Sequence, residues 1–262
     1  QLKQIATGIS KVNSQTSSTT DGKNTPQHTC PICHGMGFVT RDVPLEHPDF
    51  GKAFPCECQR DAIEARRMSE LRALSNLDVV KDKTFETFIT DPMPYTPDQV
   101  AILKECYKQA HHYATNPEGW LIFRGNYGSG KTHLAVAIAN YRLQLGESVL
   151  FMTTPDLLDH LRGTYGPGSQ IQYDELFERL RNAPLLVLDD LGAESPTPWA
   201  QEKLFQLINH RYLHRLSTVI TTNVDPDQLD PRIQSRLEDQ SLSVTVSMPL
   251  PDFRRTTTSI EH

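Results

Sequence analysis

Short apolar runs alternate with longer segments of helical periodicity over the larger, C-terminal part of the chain. Five runs rich in β-branched and aliphatic residues are predicted to be strands, at 120–124, 148–153, 185–188, 218–222 and 242–246. Between them, four segments carry apolar residues at helical spacing, at 132–145, 155–161, 173–181 and 199–213. Strands that alternate with helices are typical of a parallel sheet covered on both faces. The pattern therefore predicts a doubly wound α/β fold around a mostly parallel five-stranded sheet.

The residues on either side of this domain differ in composition. Residues 1–28 are mostly Ser, Thr, Gln, Asn and Lys and are predicted to be a disordered tail, because they cannot bury enough apolar surface to offset the entropy of ordering. A small cysteine-bearing module is expected at 29–60. Apolar residues lie among charged ones from 61 to 77 without Gly or Pro, which predicts an amphipathic helix in a linker that ends at 83. This helix either connects the two parts or docks a partner. The α/β domain is placed at 84–253, and a C-terminal tail at 254–262.

The charge balance excludes some classes of function. The chain has 26 Lys and Arg against 32 Asp and Glu, a formal net charge of −6. Such a chain has no global basic field to hold duplex DNA non-specifically, so nucleic-acid contact requires a local basic surface. No apolar run approaches the roughly 20 residues that span a bilayer, and the first residues show no basic segment followed by an apolar one. We therefore expect a cytoplasmic protein with no membrane partner.

Four of the five cysteines form two closely spaced pairs, Cys30-Pro-Ile-Cys33 and Cys56-Glu-Cys58. Cytosolic thiols stay reduced and four thiolates satisfy the tetrahedral coordination of Zn²⁺, so the pattern predicts a zinc site rather than disulfides. His28 and His34 are alternative ligands. No βαβ pattern surrounds the first pair, which argues against a redox Cys-x-x-Cys. Cys106 lies among apolar residues of a helical stretch and is predicted to be a buried core thiol.

A phosphate-binding loop is predicted between the first strand and the helix that follows it. The pattern G-x-x-x-x-G-K-[ST] is matched by Gly125, Asn126, Tyr127, Gly128, Ser129, Gly130, Lys131 and Thr132. Glycines let backbone N–H groups turn towards phosphates, and the helix N-terminus adds the positive end of its dipole. We expect Lys131 to reach the β and γ phosphates, and the Thr132 hydroxyl to ligate Mg²⁺.

Polar side chains follow the third and fourth predicted strands. Asp189 and Asp190 follow the apolar run at 185–188, which places two carboxylates at the edge of the sheet where ligands bind. Asp189 is expected to hold Mg²⁺, directly or through water, and Asp190 to polarise the attacking water. Asn223 ends the strand at 218–222 and is either a group that orients this water or a simple strand cap.

Two arginines complete the set of candidate residues. Arg232 and Arg236 are four residues apart, a spacing that puts both on one face of a helix. The pair is either an exposed ion-pair face or an arginine finger that reaches the γ-phosphate bound to a neighbouring subunit.

Together these motifs resemble the AAA+ ATPases of the DnaC/DnaI helicase-loader and IstB transposition-helper family. The matching segments are Gly-Asn-Tyr-Gly-Ser-Gly-Lys-Thr-His-Leu-Ala at 125–135, Leu-Asp-Asp-Leu-Gly-Ala-Glu at 188–194, Thr-Thr-Asn at 221–223 and Ser-Arg-Leu at 235–237. The resemblance extends over 84–253. It implies Walker A at 125–132 with a nucleotide contact at His133, Walker B at Asp189 and Asp190, sensor 1 at Asn223, an arginine finger at Arg236 and a supporting contact at Arg232.

Two further segments bear on the nucleotide site. The sequence Thr-Phe-Glu-Thr-Phe at 84–88 is similar to a family stretch in which an aromatic lies near the base, although core packing is the favoured interpretation of Phe85 and Phe88. Arg254 is the sensor 2 candidate, with Arg255 as the alternative register. No separate helical lid follows, as in the helicase loaders, so we expect a neighbouring subunit to complete the site in an ATP-dependent or DNA-dependent homo-oligomer.

The zinc motif separates two functions that the resemblance implies. In DnaI-type loaders a zinc-bearing N-terminal domain engages the replicative helicase, whereas IstB-type helpers usually carry helices there. We therefore favour an ATP-dependent loader of a DnaB-like replicative helicase onto single-stranded DNA, with ATP binding and hydrolysis controlling assembly and release. The alternative is an IstB-like helper that binds duplex DNA and recruits a transposase. A metal-dependent adaptor with a vestigial ATPase is disfavoured because every expected catalytic position is filled.

The region between the two Walker motifs is the candidate DNA contact. Guanidinium groups can follow phosphates and an aromatic ring can stack on a base, and a solvated helix face would carry the same residues. The candidates are Arg162, Tyr165, Arg179 and Arg181. Four histidines have no partner at ligand spacing and are expected to be surface or core side chains: His111, His112, His210 and His214.

Overall fold

The computed structural model describes residues 30–60, 62–63, 75–163 and 170–257. The chain forms two compact units, one ending at Asp61 and the other beginning at Ala62. The tail predicted at 1–28, most of the helix predicted at 61–77 and Tyr165 lie outside the described residues. None of the described helices has both the length and the apolar character that a membrane crossing requires.

The N-terminal unit is a hairpin with a short helical turn. Strands β1 (Phe38–Thr40) and β2 (Ala53–Pro55) pair antiparallel, and a 3-10 helix follows at Glu57–Gln59. The Arg41 guanidinium carbon lies 4.3 Å from the centroid of the Phe54 ring. Strands of three residues are too short to show a periodicity of their own, so the sequence does not predict this hairpin.

A sheet of five strands forms the centre of the larger unit. The strands are β3 (Trp120–Gly125), β4 (Val149–Thr153), β5 (Leu185–Leu191), β6 (Ser217–Thr222) and β7 (Ser243–Met248). Their order is β4-β5-β6-β3-β7, and every neighbouring pair is parallel. The predicted five-stranded parallel sheet is confirmed. β5 continues past the predicted end at 188 and includes both aspartates.

Helices cover both faces of this sheet. They are α1 (Pro97–Thr115), α2 (Lys131–Gln144), α3 (Thr154–Gly163), α4 (Gln170–Asn182), α5 (Pro198–Leu213) and α6 (Pro231–Leu237). Neighbouring residues of β3 point to opposite faces, as the period of two requires. Leu121 and Phe123 join the core with α1 and α2, whereas Trp120 and Ile122 join the core with α3, α4 and α5. The doubly wound arrangement follows from this alternation.

Helix α1 begins with a capping box. The Thr96 hydroxyl accepts a hydrogen bond from the Gln99 backbone N–H, and the Gln99 side chain accepts one from the Thr96 N–H. The Cys106 side chain lies on the buried face of this helix, and burial raises the pKa of its thiol to about 11. The predicted core position of Cys106 is confirmed.

The end of the predicted linker helix differs from the expectation. Ser75 is extended, and a 3-10 helix occupies Asn76–Val80 where the prediction runs helix to 77 and linker to 83. The Ser75 hydroxyl donates to the Phe151 carbonyl at 3.2 Å and accepts from the Phe151 N–H at 3.1 Å. Phe151 lies on β4, an edge strand whose outer N–H and C=O groups have no neighbouring strand to pair with. The Ser75 hydroxyl satisfies both backbone groups of Phe151, which a helix at Ser75 would not do.

After β7 the chain returns to the P-loop. The described residues form one short helix there, α7 (Phe253–Thr257), and no lid domain follows within them. The boundary predicted between 253 and 254 falls inside this helix.

Candidate functional site

The P-loop requires its glycines because other backbone lies against it. A Cβ on Gly125 would collide with the Met248 carbonyl on β7, and a Cβ on Gly128 would collide with the Asp252 side chain. Gly128 and Gly130 also have φ of 70° and 98°, values that L side chains rarely adopt. Only glycine at these positions lets the loop approach Met248 and Asp252 this closely.

Lys131 lies at the base of this loop. Its Nζ donates to the carbonyls of Gly125 at 2.9 Å and Asn126 at 2.6 Å. Burial lowers the pKa of Lys131, and the carboxylates of Asp190 and Asp189 oppose that shift. The ammonium group is thus already directed into the loop, next to two acidic side chains.

Asp189 and Thr132, the two predicted magnesium ligands, are in direct contact. The Thr132 hydroxyl donates to Asp189 Oδ1 at 3.0 Å, and the Thr221 hydroxyl donates to the same oxygen at 2.6 Å. Burial raises the pKa of Asp189, whereas the hydrogen bond from Thr221 lowers it. A carboxylate and a hydroxyl at this separation offer the oxygen ligands that Mg²⁺ prefers.

Asp190 points differently from Asp189 because the backbone changes conformation between them. Asp190 has φ of 55°, in the left-handed region, and the pairing of β5 with β6 shifts register between Leu188 and Leu191. Its N–H donates to the Thr221 hydroxyl at 2.9 Å. Two adjacent carboxylates can therefore face the same site with different orientations.

Asn223 contacts Asp190 directly. Its Nδ2 donates to Asp190 Oδ1 at 3.0 Å, while its Oδ1 is buried without a hydrogen-bond partner among the described residues. A buried amide oxygen in this state is costly unless another donor reaches it. A water or ligand donor between Asn223 and Asp190 would satisfy it.

A pocket of about 280 Å³ lies over these groups. Its walls include P-loop residues 127–133, Asp190, Asn223, Tyr95 and Arg254. Arg255, the alternative register for sensor 2, is absent from these walls and lies 3.7 Å from the Asp252 carboxylate. Of the two arginines, Arg254 is the one that the structure brings to the nucleotide pocket.

The two phenylalanines of the segment at 84–88 have different environments. Phe85 is buried in the core with α1 and α2, as expected. Phe88 packs partly against the same core but also lines the pocket. His133 connects the segment to the P-loop, since its Nε2 lies 2.9 Å from the Thr84 carbonyl oxygen and its ring packs edge-on against Phe88 at 5.0 Å.

The remaining predicted residues lie away from this pocket. Arg232 and Arg236, on α6, do not line it. The DNA-contact candidates on α3 and α4 form ion pairs within their own helices: Arg162 with Asp159, Arg179 with Glu175, and Arg181 with Glu178. These pairs are what a solvated helix face would show.

Several contacts of the site carry no clear sequence signal. Thr221 hydrogen-bonds to both Asp189 and Asp190. The strand contains other threonines, and the sequence does not distinguish Thr221 from them. Tyr95 donates to the Pro251 carbonyl at 2.8 Å, and Asn126 Nδ2 donates to the Leu250 carbonyl at 3.3 Å. The alternation of β6 residues between faces could have suggested Thr221; nothing in the sequence indicates Tyr95.

A separate cluster of thiols lies in the N-terminal unit. The Sγ atoms of Cys30, Cys33, Cys56 and Cys58 all lie within 4.8 Å of one another. Cys30 Sγ is 3.7 Å from Cys56 Sγ, and Cys33 Sγ is 3.5 Å from Cys58 Sγ. Zn–S bonds of about 2.3 Å in a tetrahedron place sulfur atoms about 3.8 Å apart. The cluster therefore has the size of a four-thiolate zinc site.

The backbone around the cluster favours thiolates. The Gly37 N–H donates to Cys33 Sγ at 3.3 Å and lowers the pKa of Cys33 to about 7. The hydrogen bond between the Cys33 and Cys58 side chains raises the pKa of Cys58 to about 12, because neighbouring sulfurs cannot all be ionised without a cation. His34 is not part of the cluster, and His28 lies outside the described residues. In the described part of the chain, no other group of three or more metal-binding side chains occurs, and the four predicted non-ligand histidines join none.

Comparison with known proteins identifies relatives of this chain. The family described as "IstB-like ATP binding protein" matches residues 59–246. The replicative helicase loader DnaC of Buchnera aphidicola subsp. Schizaphis graminum (strain Sg) is 32% identical over 127 residues, which are 48% of this chain and 51% of that protein. The replicative helicase loader DnaI of Bacillus subtilis (strain 168) is 30% identical over 110 residues, 42% of this chain and 34% of that protein. The chain thus spans about half the length, or less, of these curated relatives.

A solved structure shares the fold. A crystal structure of the DnaC helicase loader superposes with a TM-score of 0.52 at 25% identity, covering 65% of this chain and 97% of that one. The AAA+ resemblance of the motifs is therefore confirmed by sequence relatives and by topology. Because the family match covers well over half of the chain, this protein belongs to the family of IstB-like ATP binding proteins, with DnaC and DnaI helicase loaders among its relatives.

Proposed function

We propose that this chain is an ATPase whose nucleotide cycle controls its assembly. The observation that carries this proposal is the hydrogen-bonded chain from Thr132 through Asp189, Thr221 and Asp190 to Asn223 at the pocket. Lys131 would bind the β and γ phosphates, and Thr132 with Asp189 would hold Mg²⁺. Asp190 would polarise the attacking water that Asn223 orients. Arg254 would contact the phosphates from the C-terminal side.

We further propose that this ATPase loads a replicative helicase onto single-stranded DNA. The support is the relationship to proteins named helicase loaders, together with a thiol cluster of zinc dimensions in a separate N-terminal unit. Zinc supplies the fold of a segment that has little core of its own, which leaves its surface available for recognition. The family description, IstB-like ATP binding protein, supports a second candidate function. It is the transposition helper that recruits a transposase, which the resemblance of the motifs implies.

Capture of partners from the native cell discriminates the two functions. We expect the full chain, immobilised with ATP and magnesium, to retain the replicative helicase. A variant that combines Cys56→Ser with Cys58→Ser should lose this partner while still binding ATP, because the cysteines and the P-loop belong to different compact units. Mass spectrometry of the retained proteins is the measurement. Retention of a transposase instead of the helicase would reverse the assignment, and normal helicase capture by the variant would remove the zinc unit from the interface.

DNA binding provides an independent test. We expect ATP-dependent affinity for a single-stranded oligonucleotide to exceed that for a duplex of the same sequence. The affinity should fall as salt rises, because phosphate contacts release counterions. Fluorescence anisotropy at several salt concentrations, with ATP and with ADP, measures both effects. Strong ATP-dependent filaments on duplex DNA would contradict the loader function and favour the transposition helper.

A further inference from the structure

The segment that follows β7 is hydrogen-bonded to the P-loop. We name residues 250–254 the C-terminal strap. Leu250, at its start, is buried in the core with α1 and α2, and its carbonyl accepts a hydrogen bond from Asn126 Nδ2 at 3.3 Å. Further along the strap, the Phe253 N–H donates to the Gly128 carbonyl at 3.1 Å. The strap is therefore bonded to the P-loop near both of its ends.

The middle of the strap is held by a residue from outside the P-loop. The Tyr95 hydroxyl donates to the Pro251 carbonyl at 2.8 Å. Tyr95 is fixed within its own segment, since its N–H donates to the Pro92 carbonyl at 3.0 Å and its ring packs partly against the core with α1 and α2. The next residue, Thr96, is the N-cap of α1. Tyr95 thus connects the strap to the start of this helix.

The position of the strap is limited by close packing as well as by this bond. Burial and the Asp252 carboxylate raise the pKa of Tyr95, so its hydroxyl keeps its proton and remains a donor at neutral pH. The same carboxylate accepts from the Arg254 N–H at 3.1 Å, and it lies where a Cβ on Gly128 would be. The strap is thus held by Tyr95 and limited in its approach to the P-loop by Gly128.

Arg254 is the strap residue with a charge directed at the pocket. It lines the pocket together with Lys131. Burial lowers the pKa of Lys131, and the charge of Arg254 lowers it further, so the two cations lie close enough to interact. Like charges repel each other when no anion lies between them. The bonds of the strap therefore oppose a repulsion that would move Arg254 away from the pocket.

We propose that Tyr95 is a positioning residue, which holds the C-terminal strap so that Arg254 stays directed at the phosphates of the nucleotide. An arginine that is held in place in advance loses less conformational freedom when the nucleotide binds. Tyr95 acts through the Pro251 carbonyl: its ring lines the pocket, whereas its hydroxyl is bonded to the strap. The inference rests on the proposed ATPase function, in which Arg254 contacts the phosphates.

Tyr95→Phe tests this role because it removes the hydroxyl and keeps the ring. We expect the affinity for ATP in millimolar magnesium to fall about fivefold, which is typical of the loss of one neutral hydrogen bond. Titration with a fluorescent ATP analogue is the measurement. Tyr113→Phe is the matched control, since the Tyr113 hydroxyl also donates to a backbone carbonyl, that of Gly119, at 2.8 Å, and Tyr113 is not among the pocket walls. It should leave the affinity unchanged.

A double variant separates action through Arg254 from direct contact with the nucleotide. When Arg254→Ala is already present, Tyr95→Phe should cause no further loss of affinity, because the group that Tyr95 positions is absent. If Tyr95→Phe instead lowers the affinity about fivefold with and without Arg254, the hydroxyl acts on the nucleotide or on the fold, and the proposal is wrong. Unchanged affinity in the single Tyr95→Phe variant has the same consequence.

Hydrogen exchange measures the strap itself, in the protein without nucleotide. The reporter is the Phe253 N–H, which is bonded to the Gly128 carbonyl. In a peptide that covers 250–257, this amide should exchange about fivefold faster in Tyr95→Phe than in the unmodified protein, because one bond of the strap is lost. Tyr113→Phe should show the original rate. Equal rates in Tyr95→Phe and the unmodified protein would overturn the proposal.

The results also distinguish this proposal from the proposed function. If Lys131→Ala lowers the affinity for ATP but Arg254→Ala does not, the positioning role of Tyr95 is wrong and the nucleotide site stands. If the unmodified protein binds no ATP, the proposed function fails, and the role of Tyr95 in nucleotide binding fails with it.

Discussion

Replacing Lys131 by alanine is expected to lower the affinity for ATP by about 100-fold or more. Charge-assisted hydrogen bonds contribute about 1.5–3 kcal/mol each, and 1.4 kcal/mol is tenfold in Kd, so losing contacts to two phosphates accounts for this loss. The Lys131 ammonium is already directed into the loop, towards the carbonyls of Gly125 and Asn126. Titration with a fluorescent ATP analogue in millimolar magnesium measures the effect.

Asp190→Asn is the matched variant because it should separate binding from chemistry. Asparagine tolerates the left-handed backbone at this position, φ 55°, and keeps a hydrogen-bonding side chain of the same shape. It cannot polarise a water as a carboxylate does. We expect nearly unchanged ATP affinity and a fall in hydrolysis of about 10²- to 10⁴-fold, the usual contribution of a general base. Phosphate release under saturating ATP is the measurement.

The pair of variants is informative because their results should differ. Equal losses of ATP binding in Lys131→Ala and Asp190→Asn would contradict the division of roles between the P-loop and the end of β5. Unchanged hydrolysis in Asp190→Asn would mean that another group activates the water. Absence of ATP binding by the unmodified protein would remove the basis of the proposed function.

Removing the thiols of Cys56 and Cys58 is expected to abolish metal binding and unfold the N-terminal unit. Structural Zn²⁺ contributes apparent binding free energies of about 10–16 kcal/mol in small zinc modules, more than a hairpin of two three-residue strands can replace. The unmodified chain should contain about one zinc per molecule, as expected for a four-thiolate site. The double serine variant should contain almost none. Elemental analysis after dialysis measures the metal content.

Cys106→Ala is the control for this experiment, since it removes a thiol from the core of the larger unit and leaves the cluster intact. It should retain full zinc content. ATP binding by the double variant should persist, because the P-loop belongs to the other unit. Stoichiometric zinc in the double variant, or a zinc-free unmodified protein under reducing conditions, would refute the assignment of the cluster.

Local sequence patterns were sufficient to predict those features that depend on residues close together in the chain. The alternation of β3 residues between two cores, the glycine-rich loop and the two cysteine pairs all depend on neighbours in the chain. For that reason the parallel sheet, the P-loop and the thiol cluster follow from periodicity and spacing. The hairpin at 38–40 and 53–55 does not, because three-residue strands have no measurable period.

The tertiary structure decided contacts between residues that are far apart in sequence. Ser75 bonds to the edge strand at Phe151 and is extended, where the prediction continues the helix to 77. Arg254 rather than Arg255 reaches the pocket, because the segment after β7 packs against Gly128. Helical periodicity in the sequence cannot predict either contact, because each depends on which strand or loop packs against the segment in the folded protein.

The amino-acid sequence by itself therefore determined the fold class, the phosphate loop, the two carboxylates and the four thiols. Only the packed molecule decided that Thr221 bonds to both Asp189 and Asp190, that Asp190 has a left-handed backbone, and that Arg236 donates to Asn209 on α5. The physical reason is that side-chain type and spacing are properties of the local chain. Hydrogen-bond partners, burial and charge balance depend on surfaces that meet only when the sheet and its helices assemble.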